Sequence, residues 1–273
     1  MFYKILLSIA VAMLVFACGD FQKAVVVPLP AHTSRLATEC YLEHGKPYQL
    51  LLTESTSYFG DVTLPNVANA TVYIKYKGNI DTLKYKPAAL DSIQKVYNYQ
   101  STKLVNFDSI NDYELYIKDT KGREARSKTK FLATVPIDSI SWKFDNKEGE
   151  KSRAYLFVRF KDNAKQNNYY RLMIQKSNLT SRPKTDFFFS DMLFGGQGGV
   201  LTGYNFEDKD TLFVTLYHID KQFYQFLDTS RDAARANANP FALPSGVITN
   251  VEGGGTGIFA ALSFNRKRII VKK

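Results

Sequence analysis

The segment Thr71-Val72-Tyr73-Ile74-Lys75-Tyr76-Lys77 alternates polar and apolar side chains residue by residue. A period of two fits a half-buried β-strand, because successive side chains of a strand point to opposite faces. Similar short runs recur at Tyr48–Thr53, Ala70–Lys77, Val96–Tyr99, Tyr113–Asp119 and Ala125–Val135. Lys77-Gly78-Asn79 and Lys121-Gly122-Arg123 punctuate them as hairpin turns. Seventeen Tyr and 20 Phe against 4 Met lean the same way, since rings pack well on a pleated surface. Residues 34–135 therefore read as an immunoglobulin-like β-sandwich, without the Cys, Trp, Cys hallmark of antibody domains.

Pro136-Ile137-Asp138-Ser139-Ile140 marks a boundary, after which strand candidates resume at Ile140–Phe144, Arg153–Lys161, Tyr169–Lys176, Asp186–Phe189 and Thr211–Tyr217. One stretch changes period. Ile219, Phe223, Phe226, Leu227 and Ala234 recur at helical spacing, Asp220 stands where an N-cap belongs, and Asn239-Pro240 ends the run. The expected fold is all-β: two β-sandwich domains, the second over 136–273 with one amphipathic helix near 219–237.

At the N-terminus an apolar run from Ile5 to Ala17 follows Lys4 and precedes Cys18-Gly19-Asp20. It is shorter than the roughly 20 residues a membrane-spanning helix needs, so it reads as a signal peptide over 1–17. Ala17 before Cys18 is similar to a lipobox, with bulky Phe16 as its departure from the pattern. Cleavage between Ala17 and Cys18 would leave the Cys18 sulfur to carry a diacylglycerol, and two or three acyl chains such as palmitate suffice for stable anchoring. Residues 18–33, with Pro28 and Pro30, read as the tether. Loss of Lys4 lowers the formal charge from +10 to +9. Cys40, the only other cysteine, falls in an alternating run and is expected to be a buried small hydrophobe.

The mature chain resembles DUF4249, a Bacteroidota family of outer-membrane lipoproteins known as a domain of unknown function. The resemblance rests on the Cys18 lipobox, Pro136–Ile140, Asn168-Tyr169-Tyr170-Arg171-Leu172 and Phe189-Ser190-Asp191-Met192-Leu193-Phe194-Gly195-Gly196-Gln197. Further pieces are the helix Ile219–Leu227, Asn239-Pro240-Phe241, Asn250-Val251-Glu252-Gly253-Gly254 and Gly257–Ala261. Cys40 and Gly195 depart from the family's commoner Gly and Asn. The resemblance implies a lipid-anchored, all-β protein of the outer membrane, often encoded beside a TonB-dependent transporter, on the periplasmic or cell-surface side, with no established reaction or ligand.

Among candidate chemistries, Gly195–Gly199 and Gly253–Gly257 lack the Gly-Lys-Ser/Thr ending and the strand-helix setting of a phosphate loop. As turns they leave room for close backbone approach, which makes Asp191, Gln197, Asn239, Asn250, Gly253 and Gly254 candidates for a ligand or partner rim. Asp208 with Asp210, and Asp108 with Asp112, match no calcium-loop spacing and read as solvated loops. No His-Glu-x-x-His or nucleophile elbow is present, so neither a catalytic nor a metal site, nor any cofactor, is expected. The dispersed Lys and Arg fit a solvated or anionic-membrane-facing surface better than nucleic acid. Phe187-Phe188-Phe189 and Tyr169-Tyr170 invite sugar stacking, but alternation sends at least one ring of each into the core. Asp-Ser/Thr-aliphatic triplets place Thr82, Ser92, Ser109, Ser139 and Thr211 in a pattern similar to an O-glycosylation motif of exported Bacteroidota proteins, and are also ordinary turn chemistry. The expected function is a non-catalytic, ligand- or transporter-binding accessory of a TonB-dependent uptake system. The alternatives are a structural or adhesive envelope spacer and a glycan-active enzyme.

Overall fold

The computed structural model describes Tyr3 and residues 32–57, 63–87, 96–145, 152–161, 166–192, 197–237 and 246–273. Residues Ser34–Lys273 form one compact unit. Its strands are β1 (Leu36–Glu43), β2 (Pro47–Glu54), β3 (Thr71–Tyr76), β4 (Asn79–Tyr85), β5 (Tyr99–Leu104), β6 (Tyr113–Lys118) and β7 (Glu124–Thr129). There follow β8 (Ile137–Phe144), β9 (Ala154–Lys161), β10 (Tyr169–Lys176), β11 (Thr185–Ser190), β12 (Gln197–Leu201) and β13 (Thr211–Ile219). Helix α1 (Lys221–Asn237) leads to β14 (Glu252–Gly253) and β15 (Gly255–Ile270). The protein is all-β with one helix among the described residues.

Twelve strands hydrogen-bond in the order β11-β10-β13-β15-β1-β2-β5-β4-β3-β6-β7-β14, and β12-β9-β8 form a second, smaller sheet. The long β15 serves both halves of the chain. Its first part, Gly255–Leu262, runs parallel to β1, and its second, Ser263–Ile270, runs antiparallel to β13. The C-terminal segment thus returns to the N-terminal strands, where Val251, Phe259 and Ala261 join the first apolar interior around Tyr48, Tyr99, Tyr113 and Phe131. The second interior lies between the β10, β13 and β15 region and the small sheet, around Leu156, Phe160, Tyr170, Val214 and Phe206.

Alternation decides which rings go inward. Tyr170 is fully buried in the second interior with Phe187 and Phe189 against it, whereas Tyr169 and Phe188 face α1. Helix α1 starts after Asp220, whose carboxylate accepts the Phe223 amide at 2.7 Å, so Ile219 stays in β13. Burial pushes the Asp220 carboxyl up. The strand expected over 96–99 begins only at Tyr99, and Asn98 before it adds side-chain bonds to its backbone ones: Leu52 N–H donates to Oδ1 at 2.8 Å, and Nδ2 donates to Leu52 C=O at 2.7 Å.

Two carboxylates expected to be solvated are tied down. Asp108 accepts from the Ile110 amide at 2.8 Å and Tyr76 hydroxyl at 2.7 Å and pairs with Lys77 at 2.8 Å. Asp210 is buried, pairs with Lys176 at 2.6 Å and accepts the Glu207 amide at 2.9 Å. Both turns present backbone N–H groups that a short carboxylate satisfies, and a lysine, Lys77 in the turn between β3 and β4 or Lys176 at the end of β10, then offsets the charge. Among the described residues no helix is long and apolar enough to cross a membrane.

Candidate functional site

The face of the large sheet opposite its apolar interiors carries the odd residues of β1, β10 and β13 and the even residues of β15. Register sets Arg171 between Phe188 and Tyr217, and Thr215 opposite Arg266. Helix α1 covers one end of this face. Phe223 meets Tyr41 at 5.6 Å between ring centroids, Tyr224 meets Tyr169 at 4.8 Å, and the Arg231 guanidinium lies 4.7 Å over Phe188.

Where the helix cover stops, a cleft of about 240 Å³ opens beside Phe223. Met173 and Leu262 supply apolar lining, Tyr41, Tyr97 and Tyr217 supply phenols, and Glu43, Lys46 and Arg171 supply charge. Leu179 and Thr180, beyond β10, complete a wall. Predominantly apolar walls with a few placed polar groups are the usual make-up of small-molecule sites.

Two of the charged groups, Arg171 and Glu43, are held by partners. Arg171 donates from Nε to Asp186 Oδ1 at 2.8 Å and from Nη2 to Oδ2 at 2.7 Å, a bidentate fork. Burial works against the Arg171 charge, and the Asp186 carboxylate more than offsets this, raising its pKa. Arg266 stacks 4.5 Å over Phe264, donates from Nε to Thr215 Oγ1 at 2.8 Å, and reaches Glu43 and the Tyr217 hydroxyl at 3.4 Å each. Tyr41 donates to Glu39 at 2.8 Å. Burial first, and nearby Glu39 second, push its phenol well up; burial takes Tyr217 to about 12. Both phenols therefore stay protonated at neutral pH.

A larger groove of about 610 Å³ lies over β3, β6 and β7. Its side chains are engaged with one another: Tyr73 and Tyr116 stack at 4.9 Å, Arg126 lies 5.4 Å from the Tyr116 centroid, and Glu114 sits between Lys75 and Lys128 at 3.7 and 3.4 Å. Among the described residues no group of three or more His, Cys, Asp or Glu side chains is placed to hold a metal ion.

Of the rim residues expected from sequence, Asp191, Asn250, Gly253 and Gly254 do not line the cleft. Asp191, only 6% exposed, accepts the Asn168 backbone N–H at 2.9 Å and its Nδ2 at 2.8 Å, clasping the ends of β10 and β11. Gln197 opens β12 opposite Lys161. Next to it Gly198 and Gly199 lie under the Phe160 and Phe157 rings, where an added Cβ would come within 2.3 and 2.6 Å of ring carbons. Asn250 borders the larger groove and bonds its side chain to the Phe259 backbone. Gly253 has φ +80° and a Cβ there would meet Glu124 O at 2.7 Å, while Gly254 donates its N–H to the same oxygen at 2.7 Å.

Asn239, Ala17, Cys18 and Ser92 lie outside the described residues. Thr82, Ser109 and Ser139 are exposed, and Thr211 is half-buried where β13 opens. Sequence reasoning missed Arg171, Arg266, Glu43 and Lys46 as a group. The available signal was a charged residue at an outward strand position flanked by aromatic residues, as in Tyr169-Tyr170-Arg171 and Phe264-Asn265-Arg266.

No curated protein matches the chain. The model of the family described as a domain of unknown function, DUF4249, matches residues 22–268, and the chain belongs to that family.

Proposed function

We propose that the chain is an outer-membrane lipoprotein, anchored through Cys18, that acts as a non-catalytic binding accessory of a TonB-dependent uptake system. The observation that carries this reading is the cleft beside α1, a recess whose lining mixes apolar, tyrosine and charged side chains, Arg171 among them. Binding rather than catalysis is favoured by the state of its carboxylates. Glu43 neighbours Arg266, and Asp186 is engaged by both arms of the Arg171 fork, so neither is poised as a general base. The lipobox-like Ala17-Cys18 and the proline-containing segment after it supply an anchor and a tether.

The test is isolation of the natively expressed, C-terminally tagged chain from detergent-solubilised outer membranes. The expected result is a mature chain beginning at acylated Cys18, recovered together with a TonB-dependent transporter. Recovery of the acylated chain alone would favour an envelope spacer, and an unacylated, freely soluble chain would overturn the anchor.

A further inference from the structure

The chemistry of the cleft centres on Arg171. Its Nε and Nη2 are spent on Asp186, and among the described residues its Nη1 has no hydrogen-bond partner. Arg171 lines the cleft whereas Asp186 does not. Lys46 stands exposed on the rim and forms no ion pair among the described residues. The one carboxylate in the lining, Glu43, is shared with Arg266. An incoming negative charge therefore meets Lys46, which has no ion pair among the described residues, and the remaining edge of Arg171, while Met173, Leu262 and Phe223 offer an apolar bed beside them.

We propose that this cleft binds a small organic monoanion, a carboxylate on an apolar or aromatic body, with its head at Arg171 Nη1 and its body on Met173, Leu262 and Phe223. The proposal rests on the binding reading above and names the ligand class. The volume, below the roughly 300 Å³ at which drug-sized pockets begin, calls for a compact ligand. A half-buried guanidinium whose charge is already largely balanced by Asp186 favours a single anionic head over a multiply charged one. The remaining edge of the planar fork matches a carboxylate. The Tyr217 hydroxyl accepts from Arg266 and keeps its own proton, so it can donate to the second carboxylate oxygen.

The experiment is calorimetric titration of the purified full chain with 4-phenylbutyrate, with its neutral analogue 4-phenylbutanol, and with inorganic phosphate. The expected result is saturable binding of the acid, at least about tenfold weaker binding of the alcohol, and no competition by phosphate. The paired change Arg171→Gln with Asp186→Asn, which leaves no unpaired charge, should weaken the acid about tenfold and leave the alcohol unchanged. Lys46→Glu, at an exposed side chain, should weaken the acid and flatten or reverse its salt dependence, because added salt then screens a repulsion instead of an attraction. Equal affinity for acid and alcohol, binding indifferent to both variants, or no heat beyond dilution with the acid would overturn the proposal. Purified protein is used throughout, so failure here is distinct from failure to recover a transporter from membranes.

Discussion

The side-chain amide of Asn250 pairs with the backbone of Phe259 as a neighbouring strand would, donating from Nδ2 to its C=O at 2.8 Å and accepting its N–H at Oδ1 at 2.9 Å. Ser127 donates to the Asn250 carbonyl at 2.8 Å, so the same residue also links to β7. Phe259 is fully buried in the first interior, where unpaired backbone groups are costly. Asn250→Ala should cost about 2 kcal/mol of stability. Asn250→Asp should cost at least as much, because an oxygen then faces the Phe259 carbonyl. Denaturant unfolding measures both, and an unchanged midpoint for Asn250→Asp would contradict this role.

The extent to which this arrangement was legible differs from element to element. Val72 and Ile74 are buried as the Thr71–Lys77 alternation requires, and Asp220 caps the helix where its spacing placed it, because both signals are local. The parallel pairing of Leu36–Glu43 with Gly255–Leu262 left no trace, since parallel strands need no tight turn and their partners can stand two hundred residues apart. The cleft was hidden for the same reason. Arg171 meets Asp186 through a hairpin, but Arg266 reaches Glu43 only once β1 and β15 are aligned. Asn98 fell inside a strand candidate and Asn250 inside a candidate rim; that each side-chain amide stands in for a strand was not legible, because the main chain it pairs with, Leu52 or Phe259, comes beside it only in the fold.

Gly78 and Gly253 share one backbone conformation, φ +79° and +80°, and differ in surroundings. A Cβ at Gly78 would meet nothing within 4 Å, whereas one at Gly253 would meet Glu124 O at 2.7 Å. Gly78→Ala should cost about 1 kcal/mol, the strain of a left-handed alanine. Gly253→Ala should cost about 2 kcal/mol more, because the obstacle is backbone of β7. Thermal unfolding of the two variants tests the order, and equal losses would mean that β7 yields freely.

Ser34, the first residue of the compact unit, is held by Arg123, whose Nη1 lies 3.2 Å from both its Oγ and its carbonyl. The same guanidinium meets Glu54 at 2.8 Å and Asp119 at 2.6 Å. Hydrogen bonds from Lys121 and Ser34, with Arg123 adding to them, lower Glu54 from an ordinary 4.5 to about 2. A depressed carboxylate stabilises the fold above its unfolded value, and this contribution is lost as pH falls from about 4.5 toward 2. Glu54→Gln should therefore be less stable than the natural chain above pH 4.5 and converge with it near pH 2. Melting temperatures across that window decide the matter: a constant gap would show that the carboxylate's charge plays no part.

Cys40 lies between Leu50 and Phe259 on neighbouring strands and is 0% exposed. Burial pushes its thiol well up, and only the thiolate is the nucleophile that reacts with a labelling reagent. Alkylation of Cys40 should therefore require opening of β1. Its rate, followed by peptide mass so that Cys18 is scored separately, should rise with denaturant in step with global unfolding. Cys40→Ala should cost about 1 kcal/mol for a small cavity. Cys40→Ser should cost more, about 2 kcal/mol, because it buries a hydroxyl among apolar side chains. Rapid labelling of the native chain at Cys40, or a serine variant more stable than the alanine one, would mean that β1 opens independently of the interior it helps to form.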